Sequence, residues 1–166
     1  LQNQPHNVLK LFLADDGYVV YEVDLSQAEN RIVAYVGRIE QMIEAFETGK
    51  DVHSLTGALI SGKSMEQIKQ EDKDEVFAPM GAGDKTWRFW GKKANHGLNY
   101  DFGYRQFSIL YEIPEVQGKT IVNAYHRAYP GVRERFHNYV KVNVSKNRTL
   151  TNLMGRKTTF MGNLSS

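Results

Sequence analysis

The chain has 166 residues, enough for one ordinary domain or a piece of a larger protein, with 41% hydrophobic and 24% charged residues. No apolar run approaches the ~20 residues of a membrane helix, and the lack of cysteine excludes disulfides and thiolate metal sites and fits a reducing compartment. The net charge of +2 hides an asymmetry: residues 85–166 carry 14 Lys+Arg against 4 Asp+Glu, while residues 1–84 carry 7 against 15. A basic half beside an acidic half points to a polyanionic partner on one side, or to a self-complementary surface. The first residue is Leu1 rather than Met, and no signal peptide opens the chain, so it reads as a part of something longer.

Residues 1–7 are polar around Pro5 and read as an extended lead-in. Val8 to Ala14 is apolar enough for a short strand, Asp15-Asp16-Gly17 is a turn, and Tyr18 to Asp24 is a β-branched and aromatic strand ending in a carboxylate. Ser26 with Glu29 three residues on has the pattern of a capping box, opening a helix to about Val36. A second helix is expected over 39–47, closed by Gly49. A third is capped by Asp51, runs through His53 to Ile60 and ends at Gly62. Residues 63–84 read as a short helix and a Gly-rich turn. Asp84 is placed as the cap of a long helix to Asn99, followed by helices over 103–112, from Pro114 to Tyr129, and from Gly131 to about Lys146. Thr149 to Phe160, around Gly155, reads as a β-hairpin.

Two features carry chemistry. Asp24 would place a carboxylate at a strand end, costly to bury without a partner; Mg²⁺ is one such partner and helix capping the plain alternative. Arg88, Lys92, His96 and Tyr100 recur every fourth residue and so share one helix face. Such a row repels itself unless an anion lies over it; Arg grips phosphate with two donors, Lys adds a point charge, and an aromatic farther along can stack on a base. A nucleoside triphosphate lying along the helix and a solvated basic face both satisfy the pattern.

A resemblance decides between these. Asp24-Leu25-Ser26-Gln27-Ala28-Glu29-Asn30-Arg31 resembles motif A of the bacterial polymerase I family, D-Y-S-Q-x-E-x-R, and Asp51-Val52-His53 is similar to the D-I-H that follows it. Arg88, Lys92, His96 and Tyr100, with Asn95 and Gly97, resemble motif B. Tyr125, Tyr129-Pro130-Gly131-Val132 and Gly155-Arg156 resemble the later Y-P-G-V and G-R elements, and Leu1-Gln2-Asn3 with Pro5 the L-Q-N-I-P of the palm core. The matches keep family order over nearly the whole chain.

The resemblance implies a partial family A DNA polymerase of α+β class, a mostly helical fingers region against a small antiparallel palm sheet near residues 8–24 and 149–160. Residues 1–62 would be partial palm with motif A, 63–130 fingers with motif B, and 131–166 a fingers helix and hairpin returning toward the palm. The implied partners are primer-template DNA and deoxynucleoside triphosphates, the implied cofactor two Mg²⁺ ions, and the implied setting the cytoplasm of a bacterium or a phage-infected cell. Asp24 would hold metal, joined by the backbone carbonyl of Leu25. His53, Arg88 and Lys92 would hold the triphosphate, with Lys92 also the proton donor to pyrophosphate. Glu29 would be the steric gate against a ribose 2′-hydroxyl, His96 would pack on the sugar, and Tyr100 near the templating base. Gln27, Arg31 and Asn95 would support the nucleotide, primer and template.

The chain departs from the family pattern at Leu25 for Tyr, His96 for Phe or Tyr, and Asp101 for Gly, and in a longer link over 66–84, which suggests a divergent, viral branch. The family's H-D-E motif C, which supplies the second metal carboxylate, has no match, and the thumb is absent. The chain alone is therefore expected to polymerise little, and its uncovered surface to favour self-association. The competing readings are a non-catalytic nucleic-acid-binding module and a relative of single-subunit RNA polymerases, against which Glu29 argues.

Overall fold

The computed structural model describes residue 8, residues 11–21 and residues 23–162; the lead-in at 1–7 lies outside these. Helices dominate. In chain order they are α1 (Ala28–Val36), α2 (Glu40–Glu47), α3 (Val52–Ser61), α4 (Met65–Lys73), α5 (Trp87–Asn99), α6 (Tyr104–Leu110), α7 (Glu115–Ala128), a π-helical turn (Val132–His137) and α8 (Asn138–Asn147). A two-stranded antiparallel sheet follows, β1 (Thr149–Thr151) paired with β2 (Lys157–Thr159), Leu150 opposite Thr158. The class is α+β, mostly helical.

Local chemistry sets most helix ends. The Asp51 carboxylate accepts from the His53 and Ser54 amides and caps α3, which stops at Gly62 in the left-handed region, φ 75°. Ser64 and Gln67 form a reciprocal capping box on α4. Gly103 and Pro114 stand just before α6 and α7. Two expected caps are corrected. Ser26 does not cap α1: Gln27 holds the N-cap position in a left-handed conformation, φ 52°, with no side-chain cap bond. Asp84 does not cap α5: Thr86 does, its hydroxyl accepting from the Phe89 amide, while Asp84 pairs with Lys85 at 2.7 Å.

The expected strands at 8–14 and 18–24 are also corrected. Among the described residues of these segments there is no strand, and the apolar side chains stand in solvent: Leu13 is 85% exposed, Tyr21 84% and Val23 86%. A strand is stabilised by cross-strand pairing and one buried face. This segment finds neither among the described residues, whatever its β-propensity.

The core lies in the helical body. Met42 and Phe46 of α2, Leu98 of α5, Phe107 of α6, and Ile121 and Tyr125 of α7 are all buried. α3 and α5 pack closest, through glycines on both sides. A Cβ on Gly91 would come within 2.6 Å of the Gly57 nitrogen, and one on Gly57 within 2.7 Å of the Trp87 carbonyl oxygen. These two positions exclude any side chain, which brings the α3 N-terminus, with His53, against the middle of α5, with Lys92.

Candidate nucleotide-binding cleft

Where α1, α3 and α5 meet, an open cleft of about 770 Å³ is lined by Asp24, Leu25, Gln27 and Glu29 from the motif A segment, by His53 from α3, and by Lys92, Lys93 and His96 from α5. Segments far apart in sequence converge here because Gln27 makes a left-handed turn between residues 23–25 and α1 while the glycine contact holds α3 against α5.

The basic stripe does not enter the cleft as one unit. Lys92 is exposed at its wall, and no carboxylate among the described residues pairs with it. Arg88, one turn earlier, is held outside: its Nε lies 2.7 Å from Asp51 Oδ2 and 3.8 Å from Asp72 Oδ2. Partial burial pushes the Asp51 carboxyl up, but Ser54, Arg88 and the His53 amide outweigh it and hold it below its ordinary value. One carboxylate thus caps α3 and ties α3 to α5. His53 is shifted down, first by burial and then by Arg88 and Lys92, with Asp51 opposing.

At the other end of the wall, His96 Nδ1 stands 3.9 Å from Glu29 Oε2, with both side chains mostly in water, so the pair contributes little. The His96 and Tyr100 rings meet edge to face at 5.5 Å. Tyr100 is exposed, and the Glu29 carboxylate beside its hydroxyl raises its pKa. Arg31 faces away: its Nε donates to the Ser26 carbonyl at 3.0 Å and its guanidinium lies over the Phe46 ring at 4.3 Å. Asn95, expected to meet DNA, is buried. Its Oδ1 accepts from Thr56 Oγ1 at 3.0 Å and its Nδ2 lies 3.1 Å from His53 Nδ1. It works from under the cleft, orienting His53.

Sequence reasoning missed the buried polar layer beneath the site. Thr56 Oγ1 lies 3.2 Å from Tyr129 Oη, linking the Tyr129-Pro130-Gly131 element through Asn95 to His53. Burial pushes Tyr129 up to about 12. Thr56 sits three residues after His53 and so on the same face of α3, the one signal that could have flagged it. Beyond the C-terminal end of α5, Asp101 takes a left-handed φ of 61°. Its carboxylate lies 3.1 Å from His137 and pairs with Lys141, while Arg133 stands at 3.9 Å. These cations overcome the effect of burial and lower its pKa. Where the family pattern has Gly, this chain places a carboxylate that binds the end of α5 to the π-helical turn and α8.

DNA polymerase family A matches this chain over residues 1–166. The chain belongs to that family. Its relatives include the DNA polymerase I of Deinococcus radiodurans, 28% identical over 94% of this chain and 16% of the relative, and the DNA polymerase of Mycobacterium phage D29, 28% identical over 90% of this chain and 22% of the relative. The chain thus spans less than a quarter of the length of these relatives. In fold it is similar to the POL domain of Pol1 from M. smegmatis in complex with DNA primer-template and dNTP, with a TM-score of 0.66 at 24% identity, over 82% of this chain and 21% of that one. For this family A chain, no described helix is long and apolar enough to cross a membrane. The comparisons lend no support to the expected self-association.

Proposed function

We propose that the full-length protein carrying this chain is a DNA-directed DNA polymerase that transfers a nucleotidyl group from a deoxynucleoside triphosphate to a primer 3′-hydroxyl. The observation that carries this reading is the cleft itself, where the motif A residues Asp24, Leu25, Gln27 and Glu29 line the same space as Lys92 and His96 of motif B and as His53. Residues 1–62 then serve as part of the palm, 63–130 as fingers, and 131–166 as the return toward the palm.

In this reading Lys92 and His53 receive the triphosphate, and Lys92 gives a proton to the departing pyrophosphate. Arg88 joins them once its guanidinium exchanges Asp51 for a phosphate, which the fork geometry of Arg favours. Glu29 excludes a 2′-hydroxyl, His96 packs on the sugar, Tyr100 borders the templating base, and Gln27 and Arg31 support the primer side. Asn95 acts through His53.

The Asp24 carboxylate and the Leu25 carbonyl are hard oxygen donors of the kind Mg²⁺ takes, and they fit one side of a two-ion site. Among the described residues no group of three or more His, Asp or Glu completes it, and this reading assigns the remaining carboxylate to another part of the full-length protein. Held by Asp24 and the Leu25 carbonyl, Mg²⁺ would supply activation of the attacking hydroxyl and charge compensation for the leaving phosphates.

The test is primer extension by the full-length protein with Mg²⁺, using deoxy- or ribonucleotides, beside an Asp24→Ala control. Deoxynucleotide extension lost in the control supports the reading. Equal use of ribonucleotides would favour an RNA polymerase, and salt-sensitive DNA binding indifferent to Mg²⁺ and nucleotide would favour a non-catalytic module.

A further inference from the structure

One side chain holds the backbone on both sides of Tyr100. α5 ends at Asn99, whose carbonyl oxygen lies 2.9 Å from His137 Nε2. A carbonyl oxygen only accepts, so Nε2 carries a proton and donates it. The same ring places Nδ1 3.1 Å from Asp101 Oδ1, a contact not aligned as a hydrogen bond and therefore electrostatic. His137 sits in the π-helical turn and is buried, so close packing limits its rotation. Residues 99 and 101 are thus held by two nitrogens of one imidazole, and Tyr100 stands between them.

The backbone at this point is strained. Asp101 takes φ 61°, a left-handed conformation that favours glycine. The reversal closes with the Asp101 amide donating to the Leu98 carbonyl at 3.2 Å and the Phe102 amide to the Gly97 carbonyl at 3.3 Å. Such strain persists only where the surroundings over-determine it. Here Lys141 of α8 and Arg133 of the π-helical turn join His137 around the carboxylate. Tyr100 itself is 56% exposed, so side-chain packing does little to aim it and its direction follows its backbone. Its ring meets the His96 ring at 5.5 Å and its hydroxyl lies near Glu29; both of these neighbours line the cleft.

We propose that His137 and Asp101 are positioning residues for Tyr100: by holding residues 99 and 101 they fix the tyrosine ring at the end of the cleft, where it meets the paired bases. The proposal rests on the nucleotide-binding reading of the cleft. It gives a part in nucleotide recognition to two residues outside the cleft lining, on a turn and a helix end that meet nearly forty residues apart in sequence.

The experiment is equilibrium binding of the complementary deoxynucleoside triphosphate by the full-length protein with primer-template, with melting temperature measured alongside. Asp101→Gly removes the carboxylate at a position where glycine is unstrained, so the protein should stay folded. His137→Gln can keep a donor for the Asn99 carbonyl and drops the contact to Asp101. Each should weaken nucleotide binding roughly 2- to 10-fold, the range for residues that act without touching the ligand. Each is then repeated in a Tyr100→Ala background. If both act through Tyr100, neither should weaken binding further there. Single variants that bind as tightly as wild type would overturn the proposal, and so would losses that recur undiminished without Tyr100, which would mark a structural role alone. Both results leave the polymerase reading standing. A wild-type protein that binds no nucleotide would overturn both readings.

Discussion

The helical body and the segment that precedes it both carry many apolar residues and meet opposite fates. From α1 to α7 the apolar faces close on one another, and buried polar groups there, such as Thr56, Asn95 and Asn99, are hydrogen bonded. Over residues 11–25 the valines, leucines and tyrosines stand in water and no ladder forms among the described residues. A helix satisfies its backbone within itself and needs only one face covered, whereas a strand needs a second strand before its backbone is satisfied. The cleft straddles this divide. The phosphate side, Lys92 and His53, is set by packed helices. The Asp24 side rests on an exposed segment that pairs with no strand among the described residues. The helical side of the cleft is thus pre-formed by packing, while the Asp24 side rests on this exposed segment.

The sharpest way to break this contrast is to test activity on both sides of it. Asp24→Ala in the full-length protein should lower primer extension on the order of 10²–10³-fold or more, and the 166-residue chain alone should extend little or no primer. Extension by the isolated chain that is lost in its Asp24→Ala version would mean that the 11–25 segment already presents a complete site.

A smaller but large effect tests the rigid side. Gly91→Ala presses a methyl into the backbone of α3, an overpacking that should cost about 3 kcal/mol. Thermal unfolding should fall by roughly 6–12 °C at this chain length. A change below about 1 °C would show that α3 and α5 can separate without penalty, and the pocket would not be pre-formed.

Asp51→Asn keeps some capping ability but loses the charge that faces Arg88, for an expected loss of about 1 kcal/mol. The folded carboxyl has a lowered pKa, so its stabilisation is complete above the ordinary range near 3.8 and is lost as pH falls below it. Wild type and Asp51→Asn should therefore differ in melting temperature at neutral pH and converge in acid. The same variant frees Arg88, so triphosphate binding should be retained or tightened. Weaker binding would mean that Asp51 serves the ligand directly.

The smallest effect lies far from the cleft. His126 is partly buried on α7 with neither ring nitrogen bonded. Burial first, then Arg133 and His137, push its pKa down to about 4, with Asp101 opposing. The folded state disfavours the protonated ring, so stability is unaffected above pH 6.5 and declines as pH falls from 6.5 toward 4. Allowing for partial exposure, the decline should be about 1 kcal/mol. His126→Gln should flatten melting temperature against pH across that window, and an unchanged slope would assign the pH response to His137 or another group.

Much was legible in the sequence because it was local. Asp51 and Gly62 mark the ends of α3, Pro114 the start of α7, and Gly155 the hairpin turn, since each fixes backbone geometry or hydrogen bonding within a few residues. Motif order along the chain gave the family, and the cleft gathers Asp24, Gln27, Glu29, His53, Lys92 and His96. Errors came where two local signals competed or where the outcome was not local. Thr86 and Asp84 both qualify as caps of α5; Thr86 holds the place, accepting from the Phe89 amide, and Asp84 pairs with Lys85.

By itself the sequence determined the helices, their stops and the residue types suited to phosphate and metal, because propensity, capping and motif spacing act over a turn or two of chain. Only the tertiary structure decided which of those residues share a cleft. It drew Arg88 aside to Asp51, put Arg31 over Phe46, buried Asn95 beneath His53, and aligned Tyr125, Asn99 and Asn30 across three helices. Each of these outcomes depends on a partner tens of residues away or on the close approach of helices, and no local pattern records that.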